Sequence, residues 1–331
     1  MTVDETRIIP VAANVPDAPW LNCDNAHLAA LQQFYGVPTP SAAVGMQWSF
    51  ALPSTDAVPV TLRVPVLEAV ALETGLVLER QRLDDGPGYY DAVRALRAEG
   101  TPLIIYGDAF HMPWLPYFGH DSSAHPTVLV GATDEEFHLV EAYTNSTPWG
   151  KVVPGPARVS RAEFEKLVEA LPPGQRGEII ALTGRCTARP ANPAGTLRAN
   201  ARSILDRVGE HGDLTAYAEW AREHAADARA MALYDLGCWE VTRARSCHAV
   251  WLGRLSDTCP ELLPPGLVRR FHEEIDLVWR RASQFAFVNA QRVAKGAKPS
   301  FVSPDLLSGR LAEAELSFAR DLLARLDACG V

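Results

Sequence analysis

The sequence predicts an α+β domain built on an antiparallel sheet, followed by an all-helical domain. Three observations carry that expectation. The chain has 331 residues, enough for about two domains of ordinary size. Its first half alternates short apolar runs with helical patterns, each run bounded by Gly, Asp or Pro. From about Thr196 the composition shifts to Ala, Leu, Arg and Glu at helical spacing, with no convincing strand. The expected division is therefore 1–188 and 196–331.

Within the first part, Pro102–Tyr106, Thr127–Val130 and Phe137–Val140 read as buried strands. Ala26–Tyr35, Tyr89–Ala98 and Ser160–Ala170 read as helices, the last opening on the capping box Ser160-Arg161-Ala162-Glu163. After Pro172-Pro173-Gly174, Glu178–Leu182 predicts a closing strand. Thr187–Gly195, made of Pro, Gly and small residues without periodicity, predicts a linker. In the second part, Pro260, Pro264, Pro265, Pro299 and Pro304 are expected to break long helices.

A composition of 47% hydrophobic and 21% charged residues excludes wholesale disorder and collagen-like structure. No apolar run reaches the roughly 18 residues a membrane span needs. Met1–Arg7 carries acids where a signal peptide has basic residues, so a cytoplasmic protein is expected, with its six cysteines reduced. A net charge of −9 argues against a general nucleic-acid binder.

One cysteine stands at an informative place. In Asn22-Cys23-Asp24-Asn25-Ala26-His27-Leu28, the apolar face of Leu28, Leu31 and Phe34 or Tyr35 places Cys23 at a helix N-terminus, and Gly36 and Pro38 end that helix. Backbone N–H groups and the helix dipole there favour a thiolate and can hold an oxyanion. A buried structural cysteine would look the same in sequence.

A thiol nucleophile needs a base. His125 opens the strand that runs to Gly131, and Glu141 closes the next one. In an antiparallel hairpin these two outer ends are neighbours, so Glu141 can orient the imidazole. A turn histidine and a solvated strand-end acid are the plainer alternatives. His27, four residues after Cys23, offers a competing Cys/His pair or half of a metal site. His111, His120, Asp121 and His125 offer a second metal grouping, but no CxxC or HExxH accompanies either. No metal is expected.

The order of Cys at a helix start, His at a strand start and acid at the next strand end resembles the papain-like fold, in its C39-peptidase-like branch. More specifically, it resembles the BtrH-like family (butirosin biosynthesis protein H). The matching segments are Cys23 to Pro38, Gly107 to Tyr117, and His125 to Gly131 with the following strand. The helical half, with Trp220, Trp239 and Trp251, is similar to the region that follows this domain in the family. The resemblance implies acyl transfer from a carrier-protein phosphopantetheine thioester to an amine. Cys23 would be nucleophile, His125 base and then acid, and Glu141 the orienting group, with no cofactor on this chain itself.

Two departures stand out. Glu141-Ala142 replaces the usual Asp-Pro, leaving Asn145 or Asp121 as other third members. Asp17 stands where the C39-type oxyanion glutamine is expected, so Asn22 or the Cys23 N–H would take that role. The stretch His111–Phe118, with Trp114 and Tyr117, is aromatic and Pro-stiffened and could wall an acyl pocket or belong to a core loop. An acidic carrier protein would need a basic patch, for which Arg269, Arg270, Arg280, Arg281, Lys295 and Lys298 are candidates; a polycationic amine would suit the acidic remainder. The Trp- and Leu-rich helices could also bury a homodimer face. A thioesterase or cyclase on the same triad, and a non-catalytic binding protein, are the competing readings.

Overall fold

A computed structural model describes residues 8–15, 20–52, 59–61, 64–83, 87–98, 100–185 and 192–331. Met1–Arg7, Asp17, Cys186 and the first part of the expected linker lie outside the described residues. The chain divides into two compact units. The first comprises Met1–Ser41 and Val70–Arg189, the second Ala42–Ala69 and Pro190–Val331. Residues 42–69, read from the sequence as part of the first domain, thus belong with the helices.

The first unit is mixed α and β. Its elements are helices α1 (Cys23–Phe34), α4 (Pro87–Ala98) and α5 (Arg161–Glu169), and strands β1 (Leu76–Arg82), β2 (Leu103–Asp108), β3 (Ala124–Ala132), β4 (Glu136–Glu141), β7 (Gly155–Ser160) and β8 (Glu178–Arg185). These strands form one sheet of order β1-β8-β2-β3-β4-β7, antiparallel at every pairing. The short strands β5 (Asn145–Thr147) and β6 (Gly150–Val152) pair separately. The expected capping box is present: Ser160 and Glu163 satisfy each other's backbone N–H at the start of α5. Helix α1 packs on β2 and β3, and α5 on β2 and β7. Phe164 of α5 stacks on Phe137 of β4, with ring centroids 3.9 Å apart.

The second unit is helical. It contains α2 (Ala42–Gly45), α6 (Pro193–Ile204), α7 (Asp213–Glu223), α8 (Ala228–Thr258), α9 (Pro265–Phe271), α10 (Leu277–Ala294), α11 (Val302–Leu306) and α12 (Ala312–Ala328). Helix α3 (Val66–Thr74) includes the point at which the chain passes from this unit to the first. Two expectations are corrected here. Pro193-Ala194-Gly195 is the first turn of α6, not linker, because Asn192 caps the Gly195 N–H and a proline fits the first helical position. Pro304 sits inside the first turn of α11, where its missing N–H costs no bond, so it does not break that helix.

The core of this unit is aromatic. Trp48 packs against His248, Phe271 and Phe318, and Phe50 against Tyr217 and Trp279. Trp220 and Trp251 are buried within the same cluster, so these two side chains serve the unit's own interior. Arg245 and Glu315, both wholly buried, form a two-pronged ion pair at 2.8 and 2.9 Å; Trp279 and the Ser49 carbonyl take part as donor and acceptor. Arg270 is tied to Glu274 and Asp321, and Arg280 to Asp276. Both arginines are among the six cations expected to form a basic patch.

Candidate active site

Asn22 caps α1: its side-chain carbonyl accepts from the Asn25 N–H at 2.9 Å, which makes Cys23 the first helical residue. Cys23 is half-buried. The first turn of α1 is moored to the sheet through Asp24, which accepts from the Tyr106 hydroxyl of β2 at 2.8 Å. Arg80 of β1 donates to that hydroxyl at 3.2 Å and pairs with Glu178 of β8. Burial, and then the Asp24 carboxylate beside it, push the Tyr106 phenol well above its ordinary value, so it stays protonated and donates. This mooring was not anticipated from sequence.

His125 lies in β3 opposite Gly107 of β2. The β3–β4 register pairs Val128 with Val140; continued one step, it puts Thr127 opposite Glu141 and His125 diagonal to it. His125 Nε2 and Glu141 Oε2 are 2.9 Å apart, and both residues are buried. The expected pairing of base and acid is therefore present in the geometry, and it is Glu141 that reaches His125. Asn145 instead donates to the Tyr117 hydroxyl at 3.4 Å. Asp121 is not in the cluster that gathers around His125.

The second oxygen of Glu141 has a partner that the sequence offered only as a competitor. His27 Nε2 lies 3.0 Å from Oε1, and His27 Nδ1 lies 2.7 Å from the Cys23 carbonyl. Tyr143 N–H adds a 2.9 Å bond to Oε1, and the Trp114 indole donates to Oε2 at 3.3 Å. Burial alone would raise the Glu141 pKa. The charges and hydrogen bonds of the two imidazoles outweigh it and hold the carboxyl well below the usual range. His27 is also displaced: burial pulls it down, but the Glu141 charge and hydrogen bond, with the Cys23 carbonyl, leave it raised.

The aromatic stretch divides. Trp114 reaches Glu141, whereas Tyr117 and His120 gather at Trp149, His120 stacked on its ring at 5.6 Å. His111 packs edge-on against Phe110. Among the described residues, the grouping that could offer three metal-binding atoms is His27, His125 and Glu141, within 4.8 Å of one another. His125 Nε2 lies 2.9 Å from one carboxylate oxygen and His27 Nε2 3.0 Å from the other, and the Ala142 N–H donates to His27 Nε2 at 3.2 Å. The His111, His120, Asp121 and His125 grouping does not assemble.

The other cysteines contrast with Cys23. Cys238 is wholly buried, and burial pushes its thiol up to about 12, which keeps it protonated and inert. The five cysteines among the described residues form no disulfide. No helix among the described residues is long and apolar enough to cross a membrane. The chain matches no protein-family model and no curated protein, so the reading of this site rests on its own residues.

Proposed function

We propose that the mixed unit is a papain-like, C39-like cysteine acyltransferase, taking an acyl group from a carrier-protein thioester and giving it to an amine. The observation that carries this reading is the 2.9 Å contact between His125 Nε2 and Glu141 beside a half-buried cysteine at a helix start. Glu141 fixes the tautomer with the proton on Nε2, which leaves Nδ1 of His125 as the basic atom. Cys23 stands one helical turn before His27, whose Nε2 lies 3.0 Å from Glu141 Oε1.

In the proposed reaction His125 Nδ1 takes the Cys23 proton, and the sulfur attacks the thioester carbonyl carbon. Asn22 and the Cys23 N–H are assigned to the resulting oxyanion. Collapse breaks the bond to the pantetheine sulfur, which leaves with the proton from His125. The amine then attacks the acyl-Cys23 carbonyl, gives its proton to His125, and releases the amide and the cysteine. The phosphopantetheine belongs to the carrier partner. The BtrH-like resemblance supports the choice of acceptor, and the exposed aromatics Phe110, Phe118 and Trp149 around the His111–Phe118 stretch suit an acyl chain or pantetheine arm.

The test is intact-protein mass spectrometry after incubation with acyl-loaded carrier protein. The wild type is expected to gain the acyl mass on Cys23, and Cys23→Ala to gain none while keeping its fold. An unmodified wild type together with an active Cys23→Ala variant would overturn the covalent route. Free acid with and without amine would instead assign the same site to hydrolysis.

A further inference from the structure

We propose that the outward face of α10, with the segment folded against it, is a docking surface for an acidic helical protein, the carrier of the acyl donor. The identity of that partner rests on the acyltransfer reading; the chemistry of the face does not.

The face begins in the sequence. In a chain of net charge −9, Leu277–Pro304 holds five cations and no acid. Helix α10 turns Val278, Trp279, Ala282, Ala286 and Ala290 into the unit's interior. Arg281, Phe285, Val288, Arg292 and Lys295 follow one another at steps of four or three residues, so they line a single stripe of the helix. All five are exposed. The stripe runs about 21 Å along the axis.

The chain after the helix widens this stripe. The Ser300 N–H donates to the Asn289 side chain at 2.7 Å, and the Ser303 hydroxyl donates to the Ala282 carbonyl at 2.8 Å. Ala282 and Asn289 stand three residues before and four after Phe285, so residues 300–303 lie along the flank of α10 that carries Phe285. Phe285, Val288, Phe301 and Val302 are 44–52% exposed and form an apolar centre. Arg281 stands at one end of it. Arg292, Lys295 and Lys298 stand at the other, where Arg292 donates to the Lys298 carbonyl at 3.3 Å. Among the described residues, none of these four cations is in an ion pair.

This layout favours one occupant. An apolar centre inside a charged rim is the anatomy of a protein interface. A helix lying in a bilayer surface keeps its apolar and charged residues on opposite faces, whereas Phe285 and Val288 share their stripe with cations. A symmetric pairing with a second copy would set like charges against each other at both ends. A partner with an aliphatic ridge between acidic side chains satisfies the centre and the rim together, and the local positive field steers it in.

The test is fluorescence anisotropy of labelled holo acyl carrier protein titrated with the full chain. Wild type is expected to bind, and to bind more weakly as salt rises. Arg281→Glu/Arg292→Glu should raise Kd about 10-fold or more, and Phe285→Ala about 10-fold. Acylation of Cys23 by acyl-pantetheine, a donor that needs no docking, should be unchanged in both variants. A wild type that does not bind, or variants that bind as it does, would overturn the proposal. Binding to phosphatidylglycerol vesicles instead of the carrier would assign the face to a membrane, and a dimer that Phe285→Ala dissolves would assign it to a second copy; either overturns it. Should the variants not fold, acetylation of wild-type lysines decides: the carrier is expected to shield Lys295 and Lys298, and unshielded lysines refute the docking. Carrier bound at this face without acyl mass on Cys23 from either donor would fail the acyltransfer reading alone.

Discussion

Gly107 stands directly across the β2–β3 ladder from His125, and the space its side chain would occupy is already filled. A Cβ there would come within 2.3 Å of Leu167 Cδ1 and 2.8 Å of Met112 Cε. Both neighbours are wholly buried, so neither can give way freely. Gly107→Ala is expected to cost about 1–3 kcal/mol of stability by overpacking. Urea denaturation measures it, and a variant as stable as wild type would show that α5 can retreat from the sheet.

Glu141→Gln removes the charge that both imidazoles use. Removing one partner of a buried, hydrogen-bonded charged contact costs about 3–5 kcal/mol. Turnover should fall about 100-fold or more, because a Gln cannot stabilise the imidazolium that forms on His125. The pH dependence of stability has a definite sign. The carboxyl is lowered in the fold, so its contribution is present above its ordinary value of 4.5 and lost as pH falls below it. Thermal melts between pH 3 and 7 should show the wild type losing stability in that range, with the Gln variant flatter.

The helical unit holds a separate acid-sensitive group. His248 donates from Nδ1 to the Gly45 carbonyl at 2.7 Å, and its Nε2 has no partner among the described residues. Burial, helped by the Arg245 charge, holds its pKa down to about 3, so the folded ring is neutral. Its contribution is present above the ordinary value of 6.5 and fades as pH falls from there toward 3. His248→Asn keeps a donor for Gly45 and does not titrate. It should be less stable than wild type at pH 7, by about 2–4 kcal/mol for the lost ring, but should lose less on going to pH 4.5. Parallel melts of the two proteins would refute this if their slopes were equal.

What could be read from the sequence follows from burial. The central strands β2, β3, β4 and β8 appear as apolar runs because both of their edges are paired. Within this sheet the strands that escaped notice, β1 and β7, are its two edges. There β1 carries Glu79-Arg80-Gln81-Arg82, and β7 tolerates Pro156, so neither reads as a strand. The Glu141–His125 contact was legible from hairpin geometry alone. The His27–Glu141 contact was not, because nothing in the pattern of α1 announces that it meets the end of β4. The Trp48–Phe50 segment shows no helical or strand period, so nothing in its pattern announced that it belongs to the helical core.

That segment has a consequence for synthesis. The chain leaves the mixed unit after Ser41, contributes residues 42–69 to the helical unit, and returns at Val70. Trp48 must therefore wait for Phe318, made 270 residues later, before its edge-on ring contact can close. At about 5–20 residues per second, that delay lasts roughly a quarter of a minute to a minute. Throughout it the aromatic stretch is exposed on the nascent chain, a ready target for holding chaperones. A fragment cut at residue 188 would carry the same stretch permanently without its partners, so a soluble mixed unit calls for a connector between Ser41 and Val70 in place of residues 42–69.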